Sequence, residues 1–233
     1  CYVNDYDPET GKDLVFLLEK AGYEVVTPEF QCCGLPMVAN GFFDDAKAAA
    51  SKNVDSLTGL VASGDVPVLT VCPSCQLMLK QEYAEYFPEL DGHAALVPHV
   101  QDACEFVAGL LESGELDIDV REDAAKLVYH APCHLRAQGI GKPGLDLLRM
   151  ASANVEDARS ECCGISGSYG FKKEKYDVAA SVGADLFKAV KDSGAEYCVT
   201  ECGTCRLQIS HHTGVPSMPQ TFFEVVVQLH IIF

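Results

Sequence analysis

Short apolar stretches that predict strands alternate along the chain with longer amphipathic segments that predict helices. The predicted strands are residues 24–26, 66–71, 127–130 and 197–200. The predicted helices are residues 13–20, 42–61, 76–86, 145–150, 172–190 and 204–211. This alternation predicts an α/β fold, in which a parallel sheet carries helices on its faces. Ligands in such sheets bind beyond the carboxyl ends of the strands, so the loops that follow the strands are the first place to look for a site.

The same cysteine pattern occurs twice. The first cysteine group is Cys1, Cys32, Cys33, Cys72 and Cys75, and the second cysteine group is Cys133, Cys162, Cys163, Cys202 and Cys205. Matching cysteines lie 132, 130 and 130 residues apart, and 38 residues separate the vicinal pair from the C-x-x-C motif in both copies. Such agreement indicates an internal duplication. We expect two pseudo-symmetric lobes, residues 1–118 and 119–233, each a small parallel sheet flanked by helices, with residues 112–123 as the linker.

The chain is strongly acidic, with a net charge of −17 from 34 acidic and 17 basic residues. A surface of this charge repels phosphate backbones, which argues against nucleic acid as a partner. No stretch reaches the roughly 20 apolar residues of a membrane span, and the most apolar stretch, residues 222–233, predicts a packed or interfacial helix. No export signal is visible, so we expect a cytoplasmic protein whose upstream part is missing before Cys1.

Twelve cysteines in 233 residues indicate metal binding or catalysis in a reducing compartment. Disulfides within the vicinal pairs are disfavoured, because adjacent Cα atoms lie about 3.8 Å apart whereas disulfides need roughly 4.4–6.8 Å. Structural zinc uses four ligands, one fewer than each group offers, yet zinc in one lobe stays an alternative. Iron–sulfur clusters are favoured, since they take several thiolates and adjacent thiolates can reach neighbouring irons. Gly34 and Gly164 suit a backbone that turns tightly beside a cluster.

Three stretches carry a resemblance to a known family: residues 32–42 (CCGLPMVANGF), 128–134 (VYHAPCH) and 162–174 (CCGISGSYGFKKE). Together with the doubled cysteine pattern, they resemble the cysteine-rich CCG domain family of iron–sulfur redox subunits over nearly the whole chain. The likeness is strongest to the C subunit of anaerobic glycerol-3-phosphate dehydrogenase and extends to the B subunit of heterodisulfide reductase. The paired ferredoxin motifs that family members carry upstream are absent from this sequence.

The resemblance implies that each cysteine group holds one [4Fe-4S] cluster of a non-cubane type. It further implies an electron-transfer subunit of a membrane-associated oxidoreductase, inactive alone and with no catalytic residues of its own. Electrons would come from flavoprotein subunits that carry FAD and would pass to quinone, with sn-glycerol 3-phosphate as the substrate of the complex. The subunit would lie peripherally on the inner face of the cell membrane. Two rival functions are disulfide reduction at the clusters and a zinc-stabilised scaffold without redox activity.

The remaining candidate residues have structural interpretations. Cys104 and Cys198 lie outside the pattern and are expected to be buried small hydrophobic side chains. His134 is expected at the start of a helix, where its side chain would hydrogen-bond to the backbone. This is favoured over contact with cluster sulfur. His130, His211 and His212 are expected in structural or surface roles. The sequence contains neither a phosphate-binding glycine loop nor a nucleophile elbow, so nucleotide binding and acyl transfer have no support.

Overall fold

The computed structural model describes residues 2–118, 125–151 and 154–217. The α-helices are α1 Pro8–Lys20, α2 Leu35–Val38, α3 Phe43–Val61, α4 Pro73–Leu77, α5 Tyr83–Tyr86, α6 His93–Leu96, α7 Ala103–Ser113, α8 Cys133–Ala137, α9 Pro143–Ala151, α10 Tyr176–Ser193 and α11 Gly203–Thr213. The strands are β1 Val68–Thr70, β2 Val100–Asp102, β3 Leu127–Tyr129, β4 Val155–Asp157 and β5 Tyr197–Val199. Short π-helices occupy Tyr2–Tyr6 and Met78–Glu82, and 3-10 helices occupy Val97–His99, Tyr169–Phe171 and Lys173–Lys175.

Two small parallel sheets confirm the predicted α/β class. In the first sheet β1 pairs with β2, in register from Val68 opposite Val100 to Thr70 opposite Asp102. The second sheet has the order β4-β3-β5, with Leu127 of β3 opposite both Val155 and Tyr197. Each sheet carries helices, as parallel strands require, because their crossover connections place helices on the faces. The two sheets and the repeated cysteine pattern are consistent with the predicted duplication.

The predicted strand at residues 24–26 is wrong. Those residues belong to no strand in the described part of the chain, and Val26 is 59% exposed. Conversely β2 and β4 were not predicted, because each three-residue stretch contains a single apolar residue and no recognisable alternation. Both are strands only because they pair in parallel with a neighbour that is distant in the sequence.

Three of the six predicted helices begin within two residues of their predicted starts, α1 begins five residues earlier than predicted, and two others differ as follows. The predicted helix 172–190 begins as α10 at Tyr176, because residues Tyr169–Phe171 and Lys173–Lys175 form 3-10 turns first. The predicted helix 76–86 is one run from Pro73 to Tyr86 with a π-helical stretch at Met78–Glu82 inside it.

The hydrophobic side chains form three buried clusters. One combines α1 and α7 with β3, α8 and α9, so it draws side chains from both predicted lobes. A second lies under α3, and a third lies between α10 and α11. Strand β3 contributes to two of them, since Leu127 and Tyr129 face the shared cluster and Val128 faces the third. The division into lobes at residues 118 and 119 stays a prediction.

Several expectations concern residues outside the described part of the chain. They are the position of Cys1, the helix predicted at 222–233 and residues 119–123 of the linker predicted at 112–123, whose first two residues end α7. Within the described residues, no helix combines the length and the apolar character needed to cross a membrane.

Candidate functional site: two cysteine groups at the strand ends

The carboxyl ends of the strands deliver the cysteines, as the sequence predicted. Cys72 and Cys202 follow β1 and β5 and directly precede helices α4 and α11. Cys133 is the first residue of α8, shortly after β3, and Cys162 follows β4. Since parallel strands end at a common edge of a sheet, β3, β4 and β5 bring their following loops to one place.

The second cysteine group is contiguous. Cys163 and Cys205 have their Sγ atoms 3.1 Å apart. Cys162 accepts hydrogen bonds from Cys133 and Cys163, and Cys205 donates one to Cys202. The five thiols therefore form an unbroken series of contacts in the order 133, 162, 163, 205, 202. All five predicted ligands of this group come together.

The four described cysteines of the first cysteine group repeat this arrangement. Cys32 accepts a hydrogen bond from Cys33, and Cys75 shares hydrogen bonds with Cys33 and with Cys72. The order 32, 33, 75 and 72 matches 162, 163, 205 and 202 of the second cysteine group. Cys1, the fifth predicted member, lies outside the described residues, so its place in the group stays a prediction. None of the eleven described cysteines forms a disulfide.

The thiols of the second cysteine group divide into two with lowered pKa values and three with raised pKa values. Hydrogen bonds from Cys133 and Cys163 lower the pKa of Cys162 to about 2. The bond to Cys162 raises the pKa of Cys163 to about 12. Hydrogen bonding with Cys205 lowers the pKa of Cys202 to about 6. The Cys205 and Cys133 thiols have raised pKa values because they donate to neighbouring sulfurs.

The described thiols of the first cysteine group divide in the same way, with lowered pKa values at Cys32 and Cys72 and raised pKa values at Cys33 and Cys75. A hydrogen bond from Cys33 lowers the pKa of Cys32 to about 6, and that same bond raises the pKa of Cys33 to about 12. Hydrogen bonding with Cys75 lowers the pKa of Cys72. The two copies therefore repeat their electrostatics as well as their sequence, and both are poised to supply thiolates, the form that binds metals.

Backbone N–H groups point at the sulfurs in both copies. The Gly164 N–H donates to Cys162 Sγ over 3.3 Å, and the N–H groups of Thr204 and Cys205 bond to Cys202. Gly34 makes the equivalent bond to Cys32. These donors are the free amides that begin a helix or a tight turn, and they stabilise negative charge.

The glycines after both vicinal pairs have the predicted backbone role. Gly34 and Gly164 have φ angles of +93° and +83°, in the left-handed region that favours glycine. A Cβ at Gly164 would also lie 2.0 Å from the carbonyl oxygen of Ala179 in α10. Only glycine allows α10 to pack this closely behind the second vicinal pair.

The residue after each leading cysteine contacts the C-x-x-C loop of the other copy. His134 follows Cys133, and its Nδ1 lies 2.7 Å from Ser74 Oγ, between Cys72 and Cys75. Tyr2 follows Cys1 and lies on Gly203, where a Cβ would come within 2.4 Å of its ring. The two contacts are reciprocal and join the two cysteine groups. Burial raises the pKa of the Tyr2 hydroxyl most, and negative charge on Asp7, Cys72 and Cys202 raises it further. Tyr2 therefore lies near both cysteine groups.

The remaining histidine and cysteine side chains differ in the contacts that they make. His134 pairs with a serine side chain instead of the backbone contact favoured from the sequence. His211 bonds to Tyr176 over 2.9 Å, and His212 stacks on Phe187, which confirms their structural roles. Cys104 and Cys198 are buried, as predicted for small hydrophobic side chains.

His130 is the unusual histidine. It is 1% exposed, and neither ring nitrogen has a hydrogen-bond partner among the residues that the structure describes. Burial lowers its pKa to about 4, Arg136 acts in the same direction, and the Cys162 thiolate opposes both. It therefore lies close enough to the second cysteine group for their charges to interact, an environment that the sequence did not reveal.

The donor set fits an iron–sulfur group. Each site offers adjacent thiols with backbone N–H groups directed at them, the chemistry that an anionic iron–sulfide core requires. Among the described residues, no three Cys, His, Asp or Glu side chains are arranged around a point that one metal ion would occupy. A small cavity lies beside the second cysteine group, bordered by Ser74, Pro132, Cys133, His134, Cys163, Ile165, Ser166, Gly167, Cys202, Thr204 and Cys205.

Comparison with known proteins agrees with this geometry. The family model described as "Cysteine-rich domain" matches residues 1–80 and 127–210. The chain belongs to this family. The two matched ranges contain the first and second cysteine groups in full, so the cysteine-rich domain is present twice, as the duplication predicted.

Several curated proteins resemble the chain over most of its length. The C subunit of anaerobic glycerol-3-phosphate dehydrogenase from Escherichia coli is 36% identical over 217 residues, which cover 92% of this chain and 54% of that protein. The B subunit of fumarate reductase (CoM/CoB) from Methanothermobacter marburgensis is 30% identical over 90% of this chain and 40% of its own length. Lactate utilization protein A of Bacillus subtilis is 25% identical over 92% of this chain and 89% of its own length. The chain spans about half the length of the first of these relatives.

Sequence reasoning missed the residues that connect the cysteine groups. Ser74 and Thr204 occupy the same position of the two C-x-x-C motifs, yet Ser74 pairs with His134 whereas Thr204 Oγ1 lies 3.2 Å from Cys202 Sγ. Aligning the two copies would have singled out this position. Arg206, which forms a buried ion pair with Asp7, carried no signal in the sequence, because its partner lies almost 200 positions away.

Proposed function

We propose that this chain is the iron–sulfur electron-transfer part of a membrane-associated respiratory oxidoreductase. The observation that carries the proposal is the gathering of nine described cysteines into two matching groups at the ends of parallel strands. Two such groups in one chain suit a relay, because each can hold one redox centre and the residues between them, Tyr2, Ser74 and His134, keep the groups in contact.

In this proposal the cysteines of both groups, including Cys1, are the ligands of two [4Fe-4S] clusters of a non-cubane type. Bound iron and sulfide supply reversible one-electron transfer. The chain holds the thiolates at the strand ends and directs backbone N–H groups, such as that of Gly164, at the sulfurs. Because these donors stabilise negative charge, they favour the reduced state and raise the reduction potential.

The finer assignment follows the relatives. The 36% identical Escherichia coli protein is a subunit of anaerobic glycerol-3-phosphate dehydrogenase, which supports sn-glycerol 3-phosphate as the substrate of the parent complex. We infer that the chain receives electrons from flavoprotein subunits carrying FAD and passes them to quinone. In this role it is peripheral on the cytoplasmic face of the cell membrane and is inactive alone.

Metal and sulfide analysis tests the proposal. The protein, purified without oxygen, is assayed for iron, acid-labile sulfide and zinc, and EPR spectra are recorded in oxidised and reduced states. We expect iron and sulfide in both groups and little zinc. Cys162→Ser should remove or alter one EPR signal and leave the other. Cys198→Ala is the matched control, because this buried cysteine lies outside both groups and its loss should leave both signals unchanged.

Other results would refute the proposal. Zinc without sulfide would leave a zinc-stabilised scaffold and no redox role. Zinc in one lobe with iron and sulfide in the other would reduce the relay to a single centre. An unchanged iron content and EPR spectrum in Cys162→Ser would show that this thiol is not a ligand.

A second candidate function is reduction of a disulfide directly at the second cysteine group. It is favoured by the cavity beside this group, since Cys133, Cys163, Cys202 and Cys205 all border it. The relative named for the CoM/CoB couple adds support. Turnover of a disulfide by the isolated chain with an artificial electron donor would decide for this function. A chain that carries iron and sulfide but leaves disulfides intact would decide for electron transfer alone.

A further inference from the structure

The second cysteine group has a buried neighbour that the proposed function does not use. His130 directly follows β3, and its backbone N–H donates to the Val199 carbonyl over 2.9 Å, so the sheet holds the residue in place. The side chain is 1% exposed, and within residues 2–118, 125–151 and 154–217 both ring nitrogens lack a hydrogen-bond partner. An imidazole has at least one N–H, and leaving such a group buried and unpaired costs about 1–3 kcal/mol. A native imidazole in this position needs an acceptor.

The acceptors near His130 are limited. Its charge interacts with Cys162 and Asp157, and with the cations Arg136 and Lys142. Lys142 forms an ion pair with Asp157, whose other carboxylate oxygen accepts the Arg159 N–H. Arg136 pairs with Glu161. Cys162 accepts from the Cys133 and Cys163 thiols, but all three are proposed ligands, and a thiolate that binds iron no longer donates, which leaves Cys162 sulfur able to accept from His130.

We propose that His130 donates a hydrogen bond to sulfur of the group held by the second cysteine group and raises its reduction potential. The inference rests on the proposed function, because it requires iron and sulfide at that group. A donor to ligand sulfur stabilises the additional negative charge of the reduced state, so removing the donor disfavours reduction. His130 is a positioning and tuning residue and does not itself ligate iron.

The test is a redox titration of the anaerobically purified holoprotein, followed by EPR so that the two centres are resolved. His130→Phe removes both nitrogens and keeps a buried ring. We expect full iron and sulfide, and a midpoint potential of the second centre that is lowered enough to reduce its one-electron equilibrium constant at least tenfold, or about 59 mV. The midpoint potential of the first centre should stay unchanged. His99→Phe is the control, because His99 Nδ1 lies 3.1 Å from the Val66 carbonyl oxygen, just before β1, whereas the second cysteine group follows the strands of the other sheet.

Two conservative variants sharpen the result. His130→Asn places an amide N–H near the position of Nδ1, and His130→Gln places one near Nε2. At least one should restore most of the potential, and which one does so identifies the donating nitrogen. An unshifted potential in His130→Phe, or a lowered potential that neither amide restores, would overturn the proposal.

Further outcomes separate this proposal from its alternatives. Loss of iron and of the second EPR signal in all three variants would make His130 a ligand and overturn the tuning role. Wild-type protein without iron and sulfide would overturn the proposed function itself. If His130→Phe fails to fold, pulsed EPR of wild-type protein labelled with 15N-histidine decides. A weak nitrogen coupling at the second centre is expected, and the absence of any coupling would refute the hydrogen bond.

Discussion

Ser74 Oγ and His134 Nδ1 lie 2.7 Å apart, and this single contact joins the C-x-x-C loop of one cysteine-rich copy to the leading helix of the other. Ser74 lies between two cysteines of the first cysteine group, whereas His134 directly follows a cysteine of the second. The contact is matched on the other side by Tyr2 and Gly203. Each copy therefore completes its site with a residue from its duplicate.

Removing the contact should weaken the attachment between the copies. Ser74→Ala and His134→Ala each delete one partner of a partly buried hydrogen bond, worth about 1 kcal/mol. Each should lower the melting temperature by about 2–4 °C, followed by far-UV circular dichroism without oxygen. The double variant should lose less than the sum of the two, since both single changes remove the same bond.

Ser63→Ala is the control for this cycle, because its hydroxyl bonds to Leu60 three residues away on an exposed helix end. It should change the melting temperature little. Strict additivity of Ser74→Ala and His134→Ala would show that the bond contributes nothing to stability.

The two glycines after the vicinal pairs should differ in their sensitivity to alanine. Both have left-handed backbone angles, which cost a non-glycine residue about 1–2 kcal/mol. Gly34→Ala adds only a close contact of 3.3 Å with Ala46, whereas Gly164→Ala brings Cβ to 2.0 Å from a backbone oxygen. Gly164→Ala should therefore destabilise the protein more and should disturb the iron content of the second centre first.

Gly59→Ala provides the contrast. Gly59 lies inside α3 and has open space around its Cβ position, so alanine should stabilise the helix by about 1 kcal/mol. Melting curves of the three variants, with iron determination, are the measurement. Equal losses at Gly34 and Gly164 would mean that α10 can move away from the second vicinal pair at little cost.

The Asp7–Arg206 ion pair should contribute more to stability than the surface pairs. Arg206 Nη1 lies 2.8 Å from Asp7 Oδ2, and the two side chains are 15% and 4% exposed. Arg206→Met leaves a buried carboxylate without this partner, which should cost about 3–5 kcal/mol. The measurement is the free energy of unfolding from denaturant titration without oxygen.

Lys12→Met is the matched change in an exposed pair, whose side chains are 68% and 50% exposed. Its cost should stay below about 1 kcal/mol, because solvent screens the charges. If Arg206→Met costs no more than Lys12→Met, then the N-terminal segment is not held on α11 by this pair.

Asp102 should make stability depend on pH. Burial raises the pKa of this carboxyl to about 6, although its Oδ1 accepts N–H bonds from Cys104 and Glu105 at the start of α7. The folded state therefore binds a proton more tightly than the unfolded state does. The stability that Asp102 contributes is present below about pH 4, and it declines as the pH rises through the folded pKa near 6.

Asp102→Asn keeps the capping oxygen and removes the titration. At pH 7 it should be more stable than wild type, by up to about 3 kcal/mol. The difference between the two proteins should vanish as the pH falls from 6 toward 4. The measurement is the free energy of unfolding of both proteins at several pH values. If the two plots of this free energy against pH ran parallel, the raised pKa of Asp102 would be contradicted.

The sequence by itself determined the α/β class, the duplication and which of the described cysteines come together in each group. These features are periodic or local: strand–helix alternation sets the class, and C-x-x-C and Cys-Cys-Gly spacing place thiols at the strand ends. The burial of Cys104 and Cys198 followed from the same patterns, because both occupy apolar positions of a helix and a strand.

Only the tertiary structure decided how the two copies meet. Strands β2 and β4 have no local signal and form because a distant strand pairs with them. The Ser74–His134 and Asp7–Arg206 contacts join residues far apart in the chain, and polar side chains of these types occur at many surface positions. The isolation of His130 is likewise a property of its packed surroundings. Burial and the absence of a partner depend on every neighbouring element, and no pattern along the chain records them.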